Sequence, residues 1–173
     1  MAAELAERYG YADITTATRA ALLHDVGKVI IPQEIKEIED WQSWDPDEEE
    51  WKAGMSLLHA PVGAWLATQL GVPREGAAAI RYHVTGRPEM TLLDKIIMAA
   101  DAAEHTRTYP WAEEMRYILS SSLDLAVAFW VNIKEGFVRL GGGVVHPRSS
   151  LTLQSLDAVL NHEAALLAKP YLG

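Results

Sequence analysis

The chain has 173 residues, of which 49% are hydrophobic, a formal net charge of -9 and no cysteine. This length and composition predict one domain with a substantial core, and the lack of cysteine excludes disulfides and thiolate metal ligands. The acidic balance argues against a nucleic-acid polymer as partner, whereas a small phosphate ester needs only a local basic pocket.

Helical periodicity dominates the first half of the chain, beginning with residues 5–24. Residues 36–51 are acidic and interrupted by Pro46, so we expect a solvated loop there. Its three tryptophans are expected to pack against the domain rather than to bind a ligand. The next helix is expected to have Pro61 in its first turn and to end at Gly71.

The second half of the chain is also predicted to be helical. Thr91 and Asp94 have the spacing of a capping box, and Ser122 is a candidate helix cap. The glycine-rich segment near residues 137–146 predicts at most a short hairpin. Helices are expected over residues 74–83, 91–104 and 123–134, with a last amphipathic helix over 153–167. The expected fold class is all-α.

Two features of the sequence concern location. The first residues, MAAELAERYG, lack the basic start and apolar run of a signal peptide. No apolar stretch approaches the roughly 18 residues that a membrane span needs. We therefore expect a cytoplasmic protein with no membrane partner.

Asp101 is the first residue whose position is unusual for its chemistry. It follows Leu93 and Ile97 at steps of four residues, so it lies on the stripe of its helix that should face the core. Burying an unpaired carboxylate is costly, so a metal, an arginine or several hydrogen bonds must accompany it.

Histidines interrupt apolar faces in the same way. His83 follows Ala79 and Ile80, and His24 follows several alanines. Each alone would be read as an ordinary core histidine, but together with Asp25, His59 and Asp101 they form a set of three imidazoles and two carboxylates. Such a set without thiolate suits a hydrolytic centre of iron, manganese, nickel or zinc, in which a carboxylate beside a histidine can bridge two metals.

Basic residues near these positions could hold phosphate. Lys28 follows Asp25 by three positions, and the loop TGRPEM after His83 offers the guanidinium of Arg87. Arg81, Lys95 and Arg107 are near in sequence, although structural ion pairs with Glu104 or Glu89 explain them equally well. The remaining histidines, His105, His146 and His162, fit no ligand spacing.

The strings ALLHDVGK, LLHAPVGAWL, AIRYHVTGRPEMTLLDKIIMAAD and EHTR resemble the HD-domain superfamily and, within it, the YqeK family. The resemblance implies an HD-domain helical bundle forming one domain over 1–173, with a catalytic core over about 1–108 and C-terminal helices over about 111–173. It implies a metal-dependent phosphohydrolase that cleaves diadenosine tetraphosphate symmetrically to two ADP. Iron in a dinuclear centre is the expected cofactor, with manganese, nickel or zinc as alternatives, and a homodimer is the expected assembly.

By position, the resemblance implies roles for ten residues. Catalytic roles fall to Asp25, Lys28 and Arg87. The implied metal ligands are His24, Asp25, His59, His83 and Asp101. The implied contacts with the substrate phosphates are Lys28, Thr85, Gly86, Arg87 and Arg107.

The family pattern also has a histidine ligand roughly two helical turns before Met1. Either the start is placed too far downstream, the chain is trimmed, or it works with one ligand fewer; we expect an N-terminal helix that is truncated. If that ligand is truly missing, the metal that shares His24, Asp25 and Asp101 should be the weaker one. Two other functions stay open: another HD nucleotide phosphatase or phosphodiesterase, and a nucleotide-binding HD protein without catalysis.

Overall fold

The computed structural model describes residues 1–141, 143 and 145–167, with side chains through residue 157. Their secondary structure is helical, without a strand among them, which confirms the all-α prediction. A 3-10 turn, Val26–Val29, follows the second helix. The α-helices are α1 Ala2–Tyr9, α2 Ile14–Leu23, α3 Pro32–Ile35, α4 Glu48–Ala53, α5 Met55–Gln69, α6 Arg74–Tyr82, α7 Leu92–Ala103, α8 Ala112–Ser121, α9 Leu123–Leu140 and α10 Pro147–Leu167. No helix within these ranges combines the length and apolar character that a bilayer span requires.

Helix α7 lies at the centre of the domain, in contact with α1, α2, α6, α8 and α9. The predicted capping box is present, because the Thr91 hydroxyl accepts from the Asp94 backbone and the Asp94 carboxylate accepts from the Thr91 backbone. Leu93, Ile96 and Ile97 are almost completely buried. This packing holds the last turn of α7, and with it Asp101, in a fixed position.

Helix α5 begins at Met55, so the prediction that Pro61 lies in the first turn was wrong. Gly54, with φ of 64°, separates α4 from α5 and allows the earlier start. Pro61 lies inside the helix, where it removes one backbone hydrogen bond. The surrounding turns are buried from Leu58 to Ala64, and this packing offsets the lost bond.

The acidic segment is more ordered than a solvated loop. It contains the short helix α4, which opens with a capping box between Asp47 and Glu50. Trp44 is 4% exposed and donates its indole N–H to Thr68, so its predicted packing is confirmed. Trp41 packs against a small second core, while Trp51 stays 37% exposed.

Helix α9 extends to Leu140, six residues beyond the predicted end. The Ser122 hydroxyl caps it as predicted, by accepting from Leu125. Gly136 does not end the helix, and an ion pair of 2.8 Å between Glu135 and Arg139 spans it. Part of the segment proposed as a hairpin is therefore helical, and residues 142 and 144 of that segment lie outside the described residues.

Candidate metal centre

The structure brings together all five predicted metal ligands from four helices. His24 ends α2, and Asp25 precedes the 3-10 turn. His59 lies in the second turn of α5, His83 directly follows α6, and Asp101 lies in the last turn of α7. Residues far apart in the chain thus converge on one point of the helical bundle.

Asp25 stands between the three imidazoles. Its Oδ1 lies 3.4 Å from His59 Nε2 and 3.7 Å from His83 Nε2, while its Oδ2 lies 3.5 Å from His24 Nε2. His24 Nε2 is also 3.5 Å from Asp101 Oδ1. The ligand atoms form two overlapping groups that share His83, one with His24 and Asp101 and one with Asp25 and His59.

Backbone carbonyls fix the orientation of each ring. The Nδ1 atom lies 2.7 Å from the Ala21 carbonyl oxygen in His24, 2.8 Å from that of Met55 in His59, and 2.7 Å from that of Ile80 in His83. In each case Nδ1 must carry the proton in order to donate, so the lone pair lies on Nε2. Metal-binding histidines are held in this way by a hydrogen bond from the second ring nitrogen.

The ionisable groups in the cluster shift one another's pKa values. The adjacent His83 ring and the Lys28 ammonium lower the pKa of Asp25 well below its usual range, and burial opposes this only in part. Burial also disfavours the charged form of Asp101, yet His24 and Arg107 hold the pKa of Asp101 far below its ordinary value. Both carboxylates are therefore ionised at neutral pH.

Burial lowers the pKa of His59 to about 4 and lowers the pKa of His83. Burial also opposes protonation of His24, but Asp101 and Asp25 raise its pKa. His59 and His83 are thus neutral at pH 7 and able to donate lone pairs to a cation.

The donor set fits a divalent metal. Imidazole nitrogen and carboxylate oxygen without thiolate are typical ligands of iron, manganese and zinc. The His24 Nε2 atom is buried and has no hydrogen-bond partner among the described residues, which a bound cation would supply. A pocket of about 370 Å³ reaches His24, Asp25 and Asp101 and would admit a substrate to the cluster.

Gly27 explains how the His-Asp pair is placed. A Cβ atom at this position would lie 2.1 Å from the carbonyl oxygen of His59 and 2.7 Å from the backbone nitrogen of Gly63. Only glycine lets the 3-10 turn lie directly on α5. This close contact brings Asp25 next to His59.

Two of the basic residues lie beside the cluster. The Lys28 ammonium is 2.6 Å from Asp25 Oδ2 and its side chain is 55% exposed. Arg107 is 2.5 Å from Asp101 Oδ1 and also donates to the Tyr109 hydroxyl at 2.6 Å. Both cations therefore touch a candidate metal ligand.

Arg87 is placed differently. Its guanidinium pairs with the buried Asp94 at 2.7 Å and lies over the Tyr82 ring. Thr85 is 3% exposed and accepts a hydrogen bond from Arg148, and Gly86 has φ of 68°. These three residues lie in the loop between α6 and α7, in which Arg87 is paired with Asp94 rather than with a ligand of the cluster.

A second charged cluster was missed by the sequence analysis. Glu50 is 1% exposed and pairs with Arg81 at 2.5 Å and with Arg148 at 3.0 Å. Asp47 joins it through Arg148 and through His146 at 3.1 Å. Because both carboxylates are bound by arginines, this cluster is better suited to holding α4 against α6 and α10 than to holding a metal. Only the Asp47–Glu50 capping spacing was visible in the sequence, and the arginine partners are distant along the chain.

Comparison with known proteins agrees with this geometry. Residues 1–106 match the HD domain family. A symmetrical bis(5'-nucleosyl)-tetraphosphatase from Bacillus subtilis (strain 168) is 37% identical over 158 residues, which cover 87% of this chain and 81% of the relative. A protein of the same name from Halalkalibacterium halodurans is 38% identical over 128 residues, which cover 73% of this chain and 67% of that relative.

A solved structure has the same fold. The crystal structure of a predicted HD superfamily hydrolase involved in NAD metabolism from Clostridium acetobutylicum superposes with a TM-score of 0.81 at 30% identity. The superposition covers 91% of this chain and 83% of that protein. The chain therefore belongs to the HD domain family and, within it, to the YqeK family of its bacterial relatives.

Proposed function

We propose that this protein is a divalent-metal-dependent hydrolase that cleaves diadenosine tetraphosphate symmetrically, giving two ADP. The observation that carries the proposal is the convergence of His24, Asp25, His59, His83 and Asp101 on one point. The names of the relatives from Bacillus and Halalkalibacterium support the reaction and the small dinucleotide substrate. The proposed catalytic core spans about residues 1–108, and the C-terminal helices described up to Leu167 would complete the domain.

In this proposal the five residues would hold the metal, with His83 common to both groups of ligand atoms and Asp25 next to all three imidazoles. Iron in a dinuclear centre is the proposed cofactor, and manganese, nickel or zinc would suit the same ligands. A divalent metal supplies a water of lowered pKa and neutralises charge on phosphoryl oxygens. The neutral rings of His59 and His83 and the ionised Asp25 and Asp101 are already in the protonation state that ligation requires.

The basic residues are proposed to bind the phosphates. The Lys28 ammonium lies beside Asp25, and the Arg107 guanidinium lies beside Asp101. Each positive group could contact a phosphate at the cluster and stabilise developing negative charge. Arg87 is proposed for the same role. Its guanidinium would bind a phosphate either in addition to its pair with Asp94 or in place of that pair. Thr85 and Gly86 would contribute through the turn that follows His83.

The test is a comparison of substrates on one metal-loaded preparation. Diadenosine tetraphosphate, a cyclic dinucleotide and AMP are each incubated with the protein, and the products are separated by chromatography. We expect ADP as the sole product from the first and no comparable turnover of the others. Preferred cleavage of the cyclic dinucleotide or of AMP would favour another HD phosphohydrolase, and binding without turnover would favour a non-catalytic nucleotide-binding protein.

A cytoplasmic location and a homodimer stay predictions.

A further inference from the structure

The loop between α6 and α7 begins at the candidate ligand His83 and contains the residues Thr85, Gly86 and Arg87, which are proposed to act at the phosphates. A backbone hydrogen bond of 2.8 Å from the Gly86 N–H to the Tyr82 carbonyl closes its first turn. Gly86 has a left-handed backbone, with φ of 68°. Because the loop lacks the repeating hydrogen bonds of a helix, its position depends on contacts with other parts of the domain.

Two side chains of α10 supply such contacts. The Arg148 guanidinium donates to the Thr85 hydroxyl at 3.2 Å. The Thr152 hydroxyl lies 3.3 Å from the Thr85 carbonyl oxygen and 2.8 Å from the Arg148 carbonyl oxygen. A Cβ atom at Gly86 would lie 2.5 Å from Thr152 Oγ1, so glycine is needed for this close approach. The loop therefore lies directly against the first two turns of α10.

The Thr85 hydroxyl is used inside the protein. It accepts a hydrogen bond from Arg148 and donates its own proton to the Gly86 carbonyl at 3.0 Å. A hydroxyl has one proton to donate, so this one cannot also be donated to a phosphate. Thr85 is 3% exposed. Its side chain therefore holds the shape of the loop, and Arg148 fixes the orientation of that side chain.

Arg148 is itself anchored by two carboxylates. The nitrogen that donates to Thr85 also lies 3.0 Å from Glu50 Oε1, and the other terminal nitrogen binds Asp47. Glu50 is 1% exposed and pairs at 2.5 Å with Arg81, in the last turn of α6. The planar guanidinium holds its donors in a fixed fork, so these acceptors set its orientation. One side chain thus connects the loop with α4 and, through Glu50, with the end of α6.

We propose that Arg148 is a positioning residue for the reaction, because it ties the loop after His83 to the buried carboxylate of Glu50. The proposal rests on the proposed function, in which this loop acts at the substrate phosphates. Arg148 binds three acceptors within the protein, so it acts through Thr85 rather than on the reacting atoms. A displacement of about 1 Å in a group that orients the substrate can cost a hundredfold in rate.

The first variant for the test is Arg148→Ala. After this substitution Glu50 keeps its pair with Arg81, and Asp47 keeps His146 at 3.1 Å. Neither carboxylate is left without a partner, so the protein should still fold. The loop, in contrast, loses the donor to its Thr85 hydroxyl.

A second variant and a control separate the loop from the charge cluster. Thr152→Val removes one hydroxyl and leaves every charged group in place. The control is Arg19→Ala, because Arg19 also joins two distant segments, by donating to the carbonyls of Leu70 and Gly71 at 2.8 and 3.1 Å. Its loss should weaken packing without any change in the loop.

Three quantities are measured for each metal-loaded protein: kcat and KM for diadenosine tetraphosphate, the metal content, and backbone hydrogen exchange by mass spectrometry. We expect Arg148→Ala to lower kcat/KM by about ten- to a hundredfold and Thr152→Val by about two- to tenfold. Exchange should become faster in residues 83–90 and stay unchanged in α2 and α5. Metal content should stay at the wild-type value, because the Ile80 carbonyl orients the His83 ring independently of Arg148. Arg19→Ala should resemble the wild type in all three measurements.

Wild-type exchange in residues 83–90 of both loop variants would overturn the proposal, as would faster exchange spread evenly over the domain. Faster exchange in the loop with unchanged kcat/KM would also overturn it, since the loop would then move without any effect on the reaction. If the wild type does not hydrolyse the dinucleotide, the proposed function fails, while the exchange measurement still decides whether Arg148 holds the loop. If Arg148→Ala does not fold, Thr152→Val decides by the same measurements.

Discussion

The Nε2 atoms of His59 and His83 lie 3.3 Å apart with their lone pairs facing each other. Because Nδ1 of each ring donates to a backbone carbonyl, neither Nε2 atom carries a proton in the neutral form. The two rings therefore cannot hydrogen-bond to each other, and their lone pairs repel unless a cation lies between them and Asp25. This pair is the clearest physical sign that the cluster is built for a metal.

The pair leads to a prediction for His83→Ala and Asp25→Asn. His83 belongs to both ligand groups and Asp25 lies between the three imidazoles, so we expect metal affinity to fall at least tenfold and metal-dependent turnover to be lost. Metal content by atomic absorption and the rate with diadenosine tetraphosphate are measured together. The control is His105→Ala, which changes an exposed histidine outside the cluster. Retained metal and activity in either ligand variant would refute the assignment.

Gly27→Ala should destabilise the protein without removing a ligand. The new Cβ atom would meet the His59 carbonyl oxygen at 2.1 Å, so the 3-10 turn must move away from α5. We expect the free energy of unfolding to fall by about 1–3 kcal/mol or more, as for other overpacked sites. Urea denaturation followed by circular dichroism measures this change.

The matched control is Gly136→Ala. No described atom lies within 4 Å of a Cβ added there, and the residue is inside α9. An alanine in a helix is more favourable than a glycine by roughly 0.5–1 kcal/mol, so this variant should be slightly more stable than the wild type. Equal effects of the two substitutions would show that the contact between the turn and α5 is not as close as described.

Glu50→Ala tests the buried charge cluster. The substitution leaves Arg81, which is 5% exposed, without its carboxylate partner. Removing one member of a buried ion pair typically costs about 3–5 kcal/mol, and we expect a loss of that size in the free energy of unfolding. Glu48→Ala, in the same helix but with a side chain that is 82% exposed, should change stability little. A small effect of Glu50→Ala would mean that Arg81 is solvated or finds another partner.

Lys134 predicts a pH dependence of stability. Burial lowers its pKa to about 8, below the ordinary value of 10.5, so between these values the unfolded chain binds more protons than the folded one. The contribution of Lys134 to the free energy of unfolding therefore rises as the pH increases from about 8 to 10.5. The measurement is the difference in stability between the wild type and Lys134→Met across this range. Lys36→Met, at an exposed site, should show no such difference, and a flat profile for Lys134→Met relative to the wild type would contradict the prediction.

The cluster could be predicted from the sequence because its members interrupt apolar helical faces. Asp101 continues the stripe of Leu93 and Ile97, and periodicity alone places it towards the core. The helix from the Thr91 capping box was also predicted closely, since both its cap and its apolar spacing are local signals. What the sequence could not provide was the meeting of the four helices, for which the family resemblance was needed.

Other features depend on contacts that are distant along the chain. In the sequence the acidic segment has the pattern of a solvated loop. The Arg148 partner of Glu50 is 98 residues away along the chain, so no local signal predicts the pair. The start of α5 was misplaced because proline is favoured in a first turn, whereas tertiary packing here keeps Pro61 inside a buried helix. Trp111 stacks on Tyr109, its near neighbour in sequence, but its contact with Trp130 is made by the tertiary structure alone.

The most direct test of the central claim is to follow the products of diadenosine tetraphosphate with metal-free protein before and after anaerobic loading with iron. The account predicts no product from the metal-free protein and ADP alone after loading, with a rate that rises in proportion to the metal bound. The same rate without metal, or AMP and ATP in place of ADP, would contradict it.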